Sequence, residues 1–124
     1  MRAPGYCPPL LLAFAACAFL SLDVAAAQSD AAILQGYRRY HGGCNHCHGP
    51  DGVGSSFAPS LVDRVIVYEA FREVVLSGRV AGNSAMQGFA GDANVAPYID
   101  AIYAYLRARA EGSLGRGRPP DPTP

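Results

Sequence analysis

The sequence predicts an all-α domain of about three main helices. Three observations carry that reading: apolar positions recur at helical spacing in three separate stretches, glycine stop signals follow the second and third, and no run shows the alternation of a strand. The chain's 124 residues suffice for one domain and are too few for two. Ten Arg balance ten Asp and Glu, so the formal charge is zero. With no basic excess and no Arg clustering before the extreme C-terminus, nucleic acid is not an expected partner.

The first 27 residues read as an export signal and are set aside from the fold. Arg2 supplies the positive start, Leu10 to Leu22 the apolar run, and Ala25, Ala26 and Ala27 the small residues of a cleavage site. Against the roughly 20 apolar residues that span a bilayer, the run is too short for a membrane anchor, so no stable membrane insertion is expected after cleavage. A lipoprotein signal ending at Cys17 fits poorly, because apolar Ala18 to Leu20 follow where a polar linker is needed. Cleavage after Ala27 leaves a domain over residues 28–112 and a tail over 113–124 in an exported, periplasmic protein.

The first helix starts at a Ser29 N-cap and runs to about His41, with Ile33, Tyr37 and Tyr40 on one side. Gly36 on the same side would let another backbone come close. Next comes Cys44-Asn45-His46-Cys47-His48, which is C-x-x-C-H, the attachment sequence of haem c. Two thiols three residues apart reach the two vinyl groups on one haem edge, and the adjacent imidazole lies under the iron. Once the signal is removed these are the only cysteines, and export suits covalent haem.

Two other uses of the pentapeptide are weaker. A structural zinc site wants four ligands, and beyond the two thiols the chain offers only His41, His46 and His48, crowded into the same stretch. A redox C-x-x-C needs a βαβ context, which the flanking helix and glycine-rich loop do not provide. His46, between the thiols, reads as filler, and His41 as a helix-terminal residue with a minor claim as an axial ligand.

A second helix is expected from Asp63 to Ser77 on the spacing of Val67, Ala70, Phe71, Val74 and Val75, with Gly78 as its stop. Residues 82–88, Gly-Asn-Ser-Ala-Met-Gln-Gly, read as a loop presenting Met86, the one methionine left after cleavage. Its thioether would complete His/Met coordination of the iron and raise the reduction potential, in preference to filling a core gap. Asn94 reads as the cap of a third helix with Pro97 in its first turn, Ile99, Ile102, Tyr105 and Leu106 on its inner face, and Gly112 as its end. The Gly/Arg/Pro tail reads as disordered rather than as a docking arm. Far in sequence from every proposed ligand, its deletion is expected to leave spectrum and potential alone.

From Gly36 to Leu106 the chain resembles class I cytochromes c of the small bacterial type. The residues that carry the likeness are Gly36 and Tyr40 in the first helix, the C-x-x-C-H, Pro59 in Phe57-Ala58-Pro59-Ser60-Leu61, Met86, and the Ile102/Tyr105 pair in the last helix. The resemblance implies thioether links at Cys44 and Cys47, His48 as proximal ligand, Met86 as distal ligand, and a Pro59 carbonyl that accepts a hydrogen bond from the proximal imidazole. Ser77-Gly78-Arg79, Asn83 to Gln87 and Gly115 to Pro119 further resemble small cytochromes that take electrons from periplasmic quinoprotein alcohol or methanol dehydrogenases. The expected function is therefore a one-electron carrier, a monomer and not an enzyme, with such a PQQ-dependent donor and a terminal oxidase or another cytochrome as acceptor. The absence of Lys departs from familiar eukaryotic cytochromes c and excludes a Lys-ring docking surface. Alternatives are a haem subunit of a larger oxidoreductase, or a haem sensor or peroxidase-like protein should Met86 leave the iron open.

Overall fold

The computed structural model describes residues 29–122. The expected export signal with its cleavage site at Ala27, and the cysteines Cys7 and Cys17, lie outside them. Helix α1 covers residues 29–43 and runs almost directly into the single turn α2, Asn45–His48. A 3₁₀ turn, Pro50–Gly52, leads into an irregular loop, followed by α3, Tyr68–Ser77. Strands β1, Arg79–Ala81, and β2, Ser84–Met86, form an antiparallel hairpin. A second 3₁₀ turn, Ala96–Tyr98, opens α4, Ile99–Ala110.

The core gathers Tyr40 from α1, Phe71 and Val75 from α3, Phe89 and Val95 from the following loop, and Ile99, Ile102, Tyr105 and Leu106 from α4. The helical periods thus find their partners, and each fully buried aliphatic or aromatic side chain contributes on the order of 2 kcal/mol. The α1–α4 crossing is made at Gly36, where an added Cβ would lie 1.9 Å from the Ala101 carbonyl oxygen. Only glycine admits so close an approach. Beside it Tyr40 and Tyr105 pack with ring centroids 5.7 Å apart.

Four expectations are corrected. Residues 63–67 are not helical: Ser60 Oγ accepts the N–H groups of Val62 and Asp63 and draws the chain into a turn, and the β-branched run Val65-Ile66-Val67 then resists helix. The methionine segment is a hairpin rather than a loop, turning through Gly82 (φ +58°) and Asn83. Asn94 does not cap α4. Its own N–H donates to Asp92 Oδ1 at 2.7 Å, while its side chain accepts from Arg39, and Asp92 holds the start of the turn. The tail as far as residue 122 is laid on the body: Leu114 packs against the core, Pro119 is buried, and Asp121 lies 4.0 Å from Arg38 of α1.

Candidate haem site

The C-x-x-C-H pentapeptide is held by the helix that precedes it. The Cys44 N–H donates to the Tyr40 carbonyl at 2.8 Å, and the His48 N–H to the Cys44 carbonyl at 3.0 Å, so Cys44 and His48 stand one helical turn apart. Both thiols are free; Cys44 is half-buried against the core and Cys47 is exposed. Burial, then the neighbouring Cys47, push the Cys44 thiol up to about 11, which keeps it protonated near neutral pH.

His48 is buried, and its Nδ1 lies 2.9 Å from the Pro59 carbonyl oxygen. A carbonyl can only accept, so Nδ1 carries a proton, and in the neutral ring it is Nε2 that holds the lone pair. That tautomer is the one an axial imidazole requires. Glycines bring the carbonyl there. Gly49 and Gly54 have φ of +73° and +88°; a Cβ on Gly49 would sit 2.3 Å from the Gly54 carbonyl oxygen, and one on Gly54 would sit 2.7 Å from the Ser60 nitrogen. The Gly54 N–H also donates to the His48 carbonyl at 2.7 Å, closing the loop onto the helix end. The expected His48–Pro59 bond is thus present in the structure.

Met86 ends β2, opposite Arg79, half-buried and packed against the same core that Cys44 touches. Its hairpin returns to α3 through bonds from Phe89 and Ala90 N–H to the carbonyls of Val75 and Leu76. His41 is engaged elsewhere: its Nδ1 donates to the Tyr37 carbonyl and its Nε2 faces Asp51 at 3.7 Å. His46 is exposed. Among the described residues no group of three or more His, Cys, Asp or Glu is assembled that could hold a metal ion. A surface cavity of about 880 Å³ between α1 and Asp121 includes none of the candidate site residues.

Asp51 was not singled out from the sequence. Buried and left-handed (φ +58°), it accepts from Tyr105 OH and from Arg116 Nε, each at 3.2 Å. Although burial pushes its carboxyl up, the bonds from Arg116, the Gly117 N–H and Tyr105, with the charge of Arg109, hold it below its ordinary value. The only sequence signal was a carboxylate set among closely spaced glycines.

Comparison with known proteins agrees with this geometry. Residues 31–106 match the family described as cytochrome c oxidase, cbb3-type, subunit III. Cytochrome c-553I of Paracoccus denitrificans is 49% identical over 96 residues, 73% of this chain and 42% of that protein. Cytochrome c-555 of Methylococcus capsulatus is 35% identical over 91 residues, covering 71% of each chain. The chain is a class I c-type cytochrome. Its solved relatives include the c-type cytochrome XoxG from Methylobacterium extorquens AM1, with 45% identity and a TM-score of 0.68 over 72% of this cytochrome and 57% of that structure. This cytochrome therefore spans less than half of the c-553I protein and somewhat over half of XoxG. The cofactor of this c-type cytochrome is covalently bound haem c. Free, closely spaced thiols and a buried imidazole of fixed tautomer fit that cofactor.

Proposed function

We propose that this cytochrome accepts single electrons from a PQQ-dependent alcohol or methanol dehydrogenase and passes them to a terminal oxidase or another cytochrome, as a periplasmic monomer with its signal cleaved near Ala27. The observation that carries the carrier reading is the His48–Pro59 bond, which readies one imidazole nitrogen beside two free thiols. In this reading Cys44 and Cys47 form the thioether links, His48 is the proximal ligand and Met86 the distal one. Haem, when bound, supplies the one-electron ferric/ferrous couple. The chain's own contribution is to fix the tautomer of His48 through the Pro59 carbonyl, to hold the Met86 thioether on an anchored hairpin, and to exclude water with the Tyr40 and Tyr105 side of the core.

The donor is supported by the resemblance around Arg79, Met86 and the Gly-Arg-Gly-Arg-Pro stretch. Zero net charge supplies little long-range steering, so encounter relies on short-range contact. Exposed Phe57 and Val80, on the Pro59 loop and the Met86 hairpin, suit that contact. Stopped-flow mixing of the reduced dehydrogenase with oxidised cytochrome tests the assignment: the expected result is reduction faster than by a non-cognate donor, with a shallow salt dependence. Equal rates from both donors would remove the dehydrogenase and leave the carrier.

A second reading, a haem subunit within a larger oxidoreductase, is favoured by the description of the matching family and by the greater length of cytochrome c-553I. Elution of the purified protein as a monomer, unaccompanied after mixing with its genomic neighbours' products, would set it aside.

A further inference from the structure

The tail's contact with Asp51 links a segment remote in sequence to the loop that leaves His48. Three peptide links separate Asp51 from His48, which limits their Cα atoms to roughly 11 Å. Four side chains from three elements, besides the Gly117 N–H, face this one residue. From α1 comes His41, 3.7 Å from Oδ1; from α4 come the Tyr105 hydroxyl at 3.2 Å and Arg109, whose Nε donates to the Asp51 carbonyl oxygen; from the tail comes Arg116, 3.2 Å from Oδ2. Arg109 also donates to the Leu114 carbonyl at 3.0 Å, and Ser113 Oγ to that of Ala108, so α4 itself aims the tail at the loop. Nothing in the carrier reading uses Asp51, and Arg116 enters it only through the resemblance of the stretch it belongs to.

We propose that Arg116 is a positioning residue for electron transfer: delivered by the tail, it compensates the buried Asp51 carboxylate, pins the loop that follows His48, and keeps the haem's reduction potential from falling. The proposal rests on His48 as proximal ligand. A fixed negative charge near the iron favours the ferric form, which carries one more positive charge than the ferrous form, and so lowers the potential. Arg116, though its own side chain is exposed, offsets that charge from 3.2 Å, and the burial of Asp51 leaves the pair less screened than two charges in open water. Reduction itself adds one electron to the haem and forms or breaks no bond at Asp51.

The test measures the midpoint potential of the holoprotein by titration with a chemical mediator, which needs no physiological partner, alongside thermal unfolding and limited proteolysis of the tail. Arg116→Gln is expected to lower the potential and to expose the tail to protease. Arg116→Lys should retain the potential by keeping the charge, and Asp51→Asn combined with Arg116→Gln should bring the potential back toward the parent while the tail stays loose. An unchanged potential in Arg116→Gln with a lowered Tm would overturn the proposal and leave the tail a structural strap. A failure of the donor assignment leaves every one of these readouts intact, whereas an iron spectrum showing His48 unligated would strike the carrier reading instead.

Discussion

Asp51 and Met86 show how much of this protein's behaviour is decided by single side chains. The Asp51 carboxyl is held below its ordinary value in the folded chain, so the unfolded chain binds its proton more readily. Its contribution to stability is present above an unfolded carboxylate value of about 4 and is lost as pH falls through the lower folded value. Parent protein is thus expected to lose Tm progressively below about pH 4, and Asp51→Asn to lose less over the same window; parallel melting curves for the two down to pH 2 would refute this. For Met86, Met86→Ala should abolish the weak near-infrared sulfur-to-iron band of the oxidised protein and lower the potential, because the thioether favours ferrous iron. An oxidised spectrum identical to the parent's would exclude Met86 as a ligand.

Among the elements, the β1–β2 hairpin is where backbone geometry governs the candidate ligand. Its two legs meet α3 at Gly78 and Gly88: a Cβ on Gly78, at φ +80°, would lie 2.6 Å from the Met86 carbonyl oxygen, and one on Gly88 would lie 2.6 Å from the Leu76 carbonyl oxygen. Neither neighbour is a flexible side-chain tip that could swing away. Gly88→Ala is expected to cost about 1–3 kcal/mol as an overpacked contact and to weaken the near-infrared band by displacing the leg that carries Met86. Chemical denaturation and the oxidised spectrum check the two effects together, and full stability with an unaltered band would show that the hairpin's anchorage does not set the ligand.

For the whole molecule, the core is one small cluster drawn from α1, α3, α4 and one loop. A domain of this size buries a modest share of its surface, so covalent haem is expected to supply much of the missing apolar contact. Replacing Cys44 and Cys47 together with Ala should prevent attachment and give a chain with strongly reduced far-ultraviolet helicity and no cooperative melt. A cooperative transition in that variant near the parent's Tm would show that the polypeptide holds its fold unaided. The tail belongs to this scale too. Distance in sequence predicts that deleting Gly115 to Pro124 spares the spectrum and potential, but Arg116 meets Asp51 in the folded chain, so the deletion removes the cation that faces the loop after His48.

The sequence by itself determined the helical class, the C-x-x-C-H with its haem chemistry, the Gly36 approach and the inner face of α4, because each rests on local spacing or a residue type with one conformational use. It pointed to Pro59 through resemblance, and to Met86 as a candidate ligand because it is the one methionine left after cleavage. It missed the hairpin even though Gly82-Asn83 is a two-residue hairpin signal, since strands of three residues are too short to show alternation. The start of α3 was misplaced because helical spacing cannot register that Ser60 bonds ahead of it. Only the tertiary structure decided the rest. It decided which side chain answers Asp51, that His41 is turned toward Tyr37 and Asp51, and that a tail of Gly, Arg and Pro lies in place. Those outcomes depend on groups up to 65 residues apart meeting across a crossing of two helices, and no local pattern encodes such a meeting.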